Sequence, residues 1–486
     1  MQIKVETRTI DEMVQGVRER LVESIRLRLR ADVPVGIYLS GGIDSSAVAG
    51  IVTHLSKTEK VQIGDEPDTS KPITCFSVRF PEESGYDESS IADRTAKWLG
   101  VDTIKIDVDE ARLAQDFQDA AYHCEHHHFD LNTVAKFALS TLPRDHGVKV
   151  VLTGEGADEH FAGYPYFPAE HTREPDLSMP QSELASNHEL RNGMQKTIDN
   201  EMRTIWRNIG ATQYDKAGSP SDRYDKPSLA DANARGMAET VLAWHPSLSL
   251  FRPWLQEKFA NADFRETVLN SYPPQVRAKM RSRWHPLHTA LYMWNKSSLA
   301  NVLLSCLGDR TEMAHSVEAR TPFLDHHLAE YVNRLPPSVK LAYTPPEPAV
   351  KQSLDGQQGP VWKAGAGSGL QSLTEKWILR EAVKPFITEE LYQRRKHPFL
   401  APTKWPKGGP LHNMFQRILT KEAVEGLGFV DWTVVEKALV GAFGGVEGGK
   451  QLTAAEQSNA FRTLAYVGAW VTLGERFGVE SAAVVA

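Results

Sequence analysis

The chain has 486 residues, of which 41% are hydrophobic and 24% charged, a composition typical of globular proteins that bury a sizeable core. Its formal net charge of −7 gives no whole-chain basic surface for nucleic acid or for an anionic membrane. Three cysteines are too few for a disulfide framework, and no apolar run reaches the roughly 20 residues of a membrane span. We therefore expect a cytoplasmic enzyme or binding protein that has neither a nucleic-acid nor a membrane partner.

The first part of the chain alternates between helical and strand-like patterns. Apolar periodicity predicts a helix over residues 9–30 and a buried strand over 35–39. Further strand-like runs lie at 73–80, 103–106 and 148–153, with helical patterns at 87–99, 111–123 and 132–142. This alternation predicts an α/β fold with a parallel sheet and helices on both faces, whose ligands bind at the carboxyl ends of the strands.

The pattern changes after Tyr166, and we predict three parts. Residues 1–168 form the α/β core, residues 169–300 a polar and helical insertion, and residues 301–486 a helical C-terminal part. The insertion is most polar over 169–235, and the stretch 344–370 is rich in proline and glycine. That composition predicts a surface loop at 344–370.

The most informative motif follows the strand at 35–39 and reads SGGIDSS over residues 40–46. Two glycines let the backbone curl around an anion, and the N–H groups and the helix N-terminus then face phosphates. The serines add hydroxyl donors, and Asp44 is placed to hold Mg²⁺. Because no lysine closes the loop, it is not a Walker A motif. It resembles the pyrophosphatase loop of enzymes that cleave ATP between the α and β phosphates; a capped glycine turn without a ligand is the alternative.

A second glycine turn follows the strand at 148–153 and carries the carboxylates of Glu155, Asp158 and Glu159. Carboxylates beside a phosphate loop are unfavourable unless a cation lies between them. We therefore expect a Mg²⁺ ion shared by Asp44 and Asp158, with a solvated acidic turn as the alternative.

Four segments together resemble the synthetase domain of asparagine synthetase: SGGIDSS at 40–46, GEGADEHFAGY at 154–164, MAHSVEARTPFLD at 313–325 and KWILREAV at 376–383. The resemblance runs from residue 10 to residue 402 and implies an adenine nucleotide α-hydrolase-like fold. It also implies a reaction in which a carboxylate attacks the α-phosphate of Mg·ATP and forms an acyl-adenylate. Pyrophosphate then leaves, and ammonia displaces AMP.

The resemblance carries over to individual residues. Positions that hold the nucleoside match Leu39, Val78, Thr153 and Gly154. Positions of the pyrophosphate loop match Ser40, Gly41, Gly42, Asp44 and Ser45, and the Mg²⁺ carboxylates match Asp44 and Asp158. Lys396, in the basic run RRKHPF, matches a lysine that stabilises charge developing on the phosphates, unless the run is only a basic surface. Glu155 matches a glutamate that deprotonates or positions the nucleophile, and the tyrosine of β-lactam synthetases at this position is absent here, which favours an external amine.

Two further groups are interpreted as structural. Arg320 and Asp325 belong to the SVEARTPFLD segment, and we interpret them as members of a buried ion pair. The histidines at 123 and 126–128 invite a metal-site hypothesis. Because this stretch matches the region where the family binds its acid, we favour a structural or substrate-facing role.

The chain departs from the family in two places. Complete asparagine synthetases begin with a glutaminase domain whose nucleophilic cysteine follows the initiator methionine, and here the second residue is Gln2. We therefore expect free ammonia, or ammonia from a glutaminase domain or subunit. An arginine that holds aspartate in the bacterial enzyme has no match within residues 126–133. Asparagine formation is the default expectation; an amide synthetase of specialised metabolism and a non-catalytic nucleotide-binding subunit are the alternatives.

Overall fold

A computed structural model describes residues 4–208, 237–238, 240–242, 245–260, 262–345, 368–395, 399–444, 446–447 and 450–482. Its central feature is a five-stranded sheet in which every neighbouring pair of strands is parallel. The strands are β1 (Val35–Tyr38), β2 (Thr74–Arg79), β3 (Asp102–Asp107), β4 (Val150–Leu152) and β5 (Glu318–Arg320).

The order of the strands is β3-β2-β1-β4-β5, so that the first strand lies at the centre. Ile37 of β1 is paired with Cys75 on one side and with Leu152 on the other. The chain proceeds outward from β1 to β2 and β3, then returns to the other side of β1 as β4. This reversal is a topological switch point, and the loops that follow β1 and β4 border the crevice where open α/β sheets bind ligands.

Six helices alternate with the first four strands, and the first five of them follow the predicted pattern. They are α1 (Ile10–Arg28), α2 (Ile43–Glu59), α3 (Ser89–Leu99), α4 (Glu110–Cys124), α5 (Asn132–Asp145) and α6 (Ala157–Phe161). Helix α1 begins with a capping box, in which the Thr9 hydroxyl accepts from the Glu12 N–H and the Glu12 carboxylate accepts from the Thr9 N–H. The apolar stripe of this helix is buried, including Val17 and Leu21.

Helices also dominate the rest of the described chain. Between the core and the C-terminal part lie helices Phe167–Thr172, Glu183–Ser186, His188–Asn208, Pro253–Lys258, Phe264–Asn270, Pro274–Ser282 and Pro286–Trp294, a π-helix Asn295–Arg310, and helix Thr311–Met313. They are followed by His326–Val332, Pro337–Lys340, Trp377–Val383, Glu389–Gln393, Pro410–Ile418, Lys421–Gly426, Trp432–Gly444 and Ala454–Phe477. Short 3₁₀ turns span Glu82–Ser84, Leu248–Leu250, Pro322–Leu324, Leu370–Ser372 and Lys384–Phe386. Antiparallel pairs join Leu341–Tyr343 to Leu373–Glu375 and Val446–Glu447 to Lys450–Gln451.

Hydrophobic side chains cover both faces of the sheet. On one face Ile37 and Leu152 share a buried cluster with residues of α1, α2 and helix Trp377–Val383. On the other face Phe76 and Val151 pack against α5. A further cluster joins Phe117 of α4 to the C-terminal helices. The predicted α/β fold with helices on both faces is therefore confirmed.

The structure adds a fifth strand to the predicted sheet and does not test the predicted domain boundaries. Strand β5 was not predicted, because three residues at the edge of a sheet are too short to show a period. The domain boundaries stay predictions, and residues 209–236 of the predicted polar stretch and 346–367 of the predicted loop lie outside the described residues. Among the helices that the structure describes, none combines the length and hydropathy needed to cross a bilayer.

Candidate active site

The two motif loops meet at the switch point of the sheet. The SGGIDSS loop leaves β1 and the GEGADE loop leaves β4, and β1 and β4 are neighbours. At Gly154 the loops touch: a Cβ placed there would lie 2.8 Å from the Cβ of Asp44 and 2.9 Å from the backbone nitrogen of Ser45. A glycine at this position therefore brings the second loop against the start of α2.

The SGGIDSS loop is held by its own serines. The Ser45 hydroxyl accepts a hydrogen bond from the Ser40 N–H at 3.0 Å and lies 2.9 Å from the Ser40 hydroxyl. The Gly42 N–H donates to the Ser40 hydroxyl at 3.2 Å. Since α2 begins at Ile43, the loop lies at the N-terminus of a 17-residue helix, where N–H groups and the helix dipole favour an anion.

The predicted nucleoside residues surround this loop. Leu39 is buried between β1 and the loop, and its carbonyl accepts a hydrogen bond from the Ser77 hydroxyl of β2. Val78 is half-buried in the same strand, β2. Thr153 is buried at the end of β4, and its hydroxyl accepts from the Glu155 N–H at 3.4 Å. The four predicted nucleoside residues therefore come from three adjacent strand ends.

A lysine that sequence reasoning did not select occupies the centre of the site. The ammonium of Lys376 lies 2.7 Å from both carboxylate oxygens of Asp44 and 2.6 Å from Oδ1 of Asp158. Its side chain is fully buried, and the backbone at Lys376 is left-handed, with φ 56°. Gly163 leaves room for the pair, because a Cβ there would lie 1.9 Å from Oδ1 of Asp158.

The signal for Lys376 was present but not decisive. The residue opens the segment KWILREAV, where a lysine directly precedes an apolar helix. A sequence pattern does not reveal that Lys376 is a partner of Asp44, which is 332 residues away in the chain. Only the packing of helix Trp377–Val383 against the core brings them together.

The carboxylates of Asp44 and Asp158 have the donor chemistry for Mg²⁺. Two carboxylates supplemented by phosphate oxygens and water are ligands that Mg²⁺ commonly takes in nucleotide enzymes. Both side chains converge on one point, which the Lys376 ammonium now fills. The two carboxylates therefore fit a cation shared between the two loops, and the Mg²⁺ site stays a prediction.

The acidic turn contains a second, buried glutamate. Glu159 is 1% exposed, and burial together with the charge of Asp158 raises the pKa of its carboxyl to about 8. The Tyr164 hydroxyl donates to this carboxyl at 2.7 Å. Glu155, which the sequence selects, is only half-buried at the start of the loop. The turn thus presents a partly accessible glutamate beside a buried, protonated one.

The remaining predicted residues lie around the centre or outside it. Lys396 falls outside the described residues. The predicted buried ion pair is wrong for Arg320 and Asp325, because they pair with different neighbours: Arg320 with Glu318, whose side chain is 58% exposed, and Asp325 with Arg28 at 3.1 Å. Asp325 also accepts from the N–H of His327 and so caps the helix that follows it.

The histidine cluster is packed among aromatic rings. His128 lies against Phe117, and His127 lies against Tyr466 and Trp470. Burial lowers the pKa of both imidazoles to about 3, so both rings are neutral at physiological pH. Across the part of the chain that the structure describes, no group of three or more histidines, cysteines or carboxylates is arranged to hold a metal.

Comparisons with known proteins identify the family of the chain. A family model described as asparagine synthase matches residues 16–471. The chain is 40% identical over 479 residues to a Penicillium rubens protein named amidase chyE, and 38% identical over 476 residues to amidase chry2 of Gibberella zeae. Each alignment covers 98% of this chain and 64% of the relative. Asparagine synthetase [glutamine-hydrolyzing] 1 of Bacillus subtilis is 25% identical over 405 residues, 82% of this chain and 51% of that protein.

Proposed function

Because this chain belongs to the asparagine synthase family, we propose that it is an ATP-dependent ligase that forms an amide from an activated carboxylate. The substrate carboxylate attacks the α-phosphate of ATP, and pyrophosphate leaves. Ammonia then displaces AMP from the acyl-adenylate. One observation carries the proposal: the loops at the switch point bring Asp44 and Asp158 together around one cation beside a glycine–serine loop.

In this proposal the first loop binds the pyrophosphate portion of ATP. Backbone N–H groups of Gly41 and Gly42 and the hydroxyls of Ser40 and Ser45 donate to phosphate oxygens, and the N-terminus of α2 adds its dipole. The hydrogen bonds that these groups now make to one another are exchanged for bonds to phosphate. Leu39, Val78, Thr153 and Gly154 then border the nucleoside.

Asp44 and Asp158 would hold Mg²⁺ when ATP is bound, and the ion would neutralise phosphate charge. The Lys376 ammonium lies within hydrogen-bond distance of both carboxylates, so it would have to move aside for the ion to bind and would then add a second positive charge beside it. A buried ammonium beside two carboxylates offsets one of their two negative charges and so reduces their repulsion of each other and of the incoming phosphates.

Two side chains are proposed to act on the reacting groups. Glu155 stands at the start of the acidic turn, where it is accessible enough to deprotonate or orient the incoming amine. Lys396 follows Arg394 and Arg395 in the chain and is proposed to stabilise charge on the α-phosphate and the leaving pyrophosphate. The assignment of Lys396 rests on its position in the motif RRKHPF.

The carboxylic acid that the enzyme activates is either aspartate or another acid. Aspartate is the default acid, which would make the chain an asparagine synthetase. The two relatives at 40% and 38% identity are named amidases, whereas the Bacillus subtilis asparagine synthetase is 25% identical. This difference supports the second version, an amide synthetase of specialised metabolism that acts on another acid. A nucleotide-binding subunit without turnover is the alternative from a different class.

The chain spans 64% of the length of the two amidases. We propose two possible sources of ammonia for its reaction. Free ammonia suffices for the reaction as written. A glutaminase domain or subunit would supply it if one accompanies the chain.

The test uses the purified chain with Mg·ATP, ammonium chloride and a panel of carboxylic acids that includes aspartate. We expect AMP and pyrophosphate in equal amounts, with an amide detected by mass spectrometry for the correct acid. Formation of ADP and phosphate instead would contradict the proposal. Binding of ATP without turnover on any acid would favour the non-catalytic alternative.

A matched pair of variants separates the site from the fold. Asp158→Asn removes a proposed metal ligand and should lower turnover by about two orders of magnitude. Asp107→Asn alters an exposed carboxylate at the end of β3, which pairs with Arg79, and should leave turnover unchanged. Equal effects of the two substitutions would argue against the proposed role of Asp158.

A further inference from the structure

Arg394 contacts the SGGIDSS loop from outside. Its Nη1 donates a hydrogen bond to the carbonyl of Gly41, and its Nη2 pairs with Oε1 of Glu88 at 2.5 Å. Both side chains are largely buried, with 21% and 17% of their area exposed. Glu88 is itself fixed, because its backbone carbonyl accepts the first hydrogen bonds of α3 from Ile91 and Ala92.

The loop is packed closely against this ion pair. A Cβ at Gly41 would lie 3.0 Å from the Cβ of Glu88, 3.1 Å from its carbonyl oxygen and 3.2 Å from Nη1 of Arg394. The contact between Arg394 and the loop therefore depends on the glycine at position 41. It also leaves little freedom for the peptide that joins Gly41 to Gly42.

Arg394 is also anchored on its other side, next to Lys376. The backbone carbonyl of Arg394 accepts from Nη1 of Arg380 at 2.9 Å, and Nη2 of Arg380 pairs with Oε1 of Glu375 at 2.6 Å. Glu375 directly precedes Lys376 in the chain. Arg394 thus links the pyrophosphate loop, through its guanidinium, to the segment that carries the buried ammonium, through its backbone carbonyl.

We infer that Arg394, held by Glu88, is a positioning residue that sets the direction of the Gly41–Gly42 peptide for binding pyrophosphate. A trans peptide is planar, so its C=O and N–H point in opposite directions. Holding the Gly41 carbonyl toward Arg394 turns the Gly42 N–H away from it, toward the hydroxyl of Ser40 inside the loop. Arg394 acts through the peptide and does not itself contact the phosphates.

The inference rests on the proposed function, because it requires that the loop binds the phosphates of ATP. The test measures binding of Mg·ATP and of inorganic pyrophosphate by calorimetry, together with kcat and KM for ATP. Arg394→Gln should raise the dissociation constant of pyrophosphate and the KM for ATP about tenfold or more, because it removes a charge-assisted hydrogen bond. The value of kcat at saturating ATP should change less than KM.

Two further variants test the pair itself. Glu88→Gln keeps the shape of the side chain, removes its charge, and should weaken pyrophosphate binding in the same direction. Arg394→Lys keeps the charge but not the forked geometry and should recover only part of the affinity. The double variant Arg394→Gln with Glu88→Gln should weaken pyrophosphate binding by less than the sum of the two single effects, because both substitutions break the same ion pair.

Arg94→Gln is the matched control. Arg94, in α3, makes an exposed pair with Glu390 through two hydrogen bonds. It should leave binding unchanged.

Wild-type affinity in Arg394→Gln and Glu88→Gln would overturn the inference while the proposed function stands. A lower melting temperature with unchanged affinity for pyrophosphate would show that the Arg394–Glu88 pair only supports the fold, and this result would also overturn the inference. If the wild-type chain binds neither ATP nor pyrophosphate, the proposed function fails and the inference fails with it. If Arg394→Gln does not fold, Glu88→Gln decides the question.

Discussion

The side chain of Lys376 bridges two carboxylates in the interior of the protein. Asp44 and Asp158 belong to different loops, and their only shared feature in the sequence is a position after a strand. The Lys376 ammonium lies within 2.7 Å of each carboxylate, and its attraction to both offsets part of their mutual repulsion. At the residue scale, this charge balance is what allows two acidic groups to face a phosphate loop.

Replacing Lys376 should therefore lower the free energy of unfolding. In Lys376→Met the carboxylates lose their common cation, and removal of one partner of a buried pair typically costs about 3–5 kcal/mol of unfolding free energy. Urea unfolding in EDTA measures the loss, and added Mg²⁺ should recover part of it. Lys71→Met, which removes an exposed pair with Glu66, is the control and should leave the unfolding free energy nearly unchanged, because water screens an exposed pair. A loss for Lys376→Met as small as that of the control would contradict this account.

A second buried lysine should make the stability depend on pH. Lys340 is fully buried and donates to the carbonyl of His160 at 3.0 Å, and burial lowers the pKa of its ammonium from 10.5 to about 7. At a pH between about 7 and 10.5, Lys340 carries a proton in the unfolded chain but not in the folded chain. The contribution of Lys340 to the unfolding free energy therefore increases as pH rises above about 7.

Comparison with Lys340→Met isolates this effect. The unfolding free energy of the wild type relative to the variant should increase by about 1.4 kcal/mol for each pH unit above neutrality. Denaturant unfolding at several pH values provides the measurement. A difference that does not vary with pH would show that the Lys340 ammonium stays charged in the folded chain.

At the scale of elements, the contact between the two loops depends on a missing side chain. A methyl group at Gly154 would press on the Cβ of Asp44 and on the backbone nitrogen of Ser45. Gly154→Ala should therefore separate the start of α2 from the GEGADE loop and destabilise the fold by about 1–3 kcal/mol. The KM for ATP should rise as well, since both loops border the nucleotide in the proposed function.

Gly193→Ala provides the comparison for this substitution. Gly193 lies in helix His188–Asn208, and nothing lies within 4 Å of a Cβ added there. Because alanine favours a helix, this variant should gain about 0.5–1 kcal/mol with no change in KM. If Gly154→Ala behaves like Gly193→Ala, the two loops do not meet as closely as described.

The elements differ in how well the sequence predicts them. Helices α1 to α5 and strands β1, β2 and β4 follow from their apolar patterns, since each buries a stripe or most of a strand, whereas β3 is only half-buried. Strand β5 has three residues and forms only when β4 is present to pair with it, so its sequence carries no local signal. The position of Lys376 likewise depends on tertiary packing, whereas the glycines and carboxylates of the two loops are recognisable because their chemistry is local.

At the scale of the whole molecule, the strand order determines where the functional groups lie. The chain enters the sheet at its centre and returns on the opposite side of β1, so the loops after β1 and β4 share one edge. Helix Trp377–Val383 belongs to the hydrophobic cluster on one face, and this packing delivers Lys376 to the same edge. Residues separated by more than 300 positions are thereby combined in one site.

The chemistry of the cysteines bears on the source of nitrogen. Cys75, Cys124 and Cys306 are the three cysteines of the chain, and all are buried and free. Burial raises the pKa of each thiol, to about 12 for Cys75. Hydrolysis of glutamine by a cysteine requires an accessible thiolate, which a low pKa favours. None of these three thiols meets that requirement.

We therefore expect ammonium chloride, and not glutamine, to support amide formation by this chain. The rate should rise with pH in the range where ammonium loses its proton, because ammonia is the nucleophile. A thiol reagent such as DTNB should react slowly with the native chain and should label three groups after denaturation. Amide formation from glutamine by the purified chain, free of contaminating ammonia, would contradict this expectation. Rapid inactivation by iodoacetamide would contradict it as well, since that result requires a reactive thiol at the site.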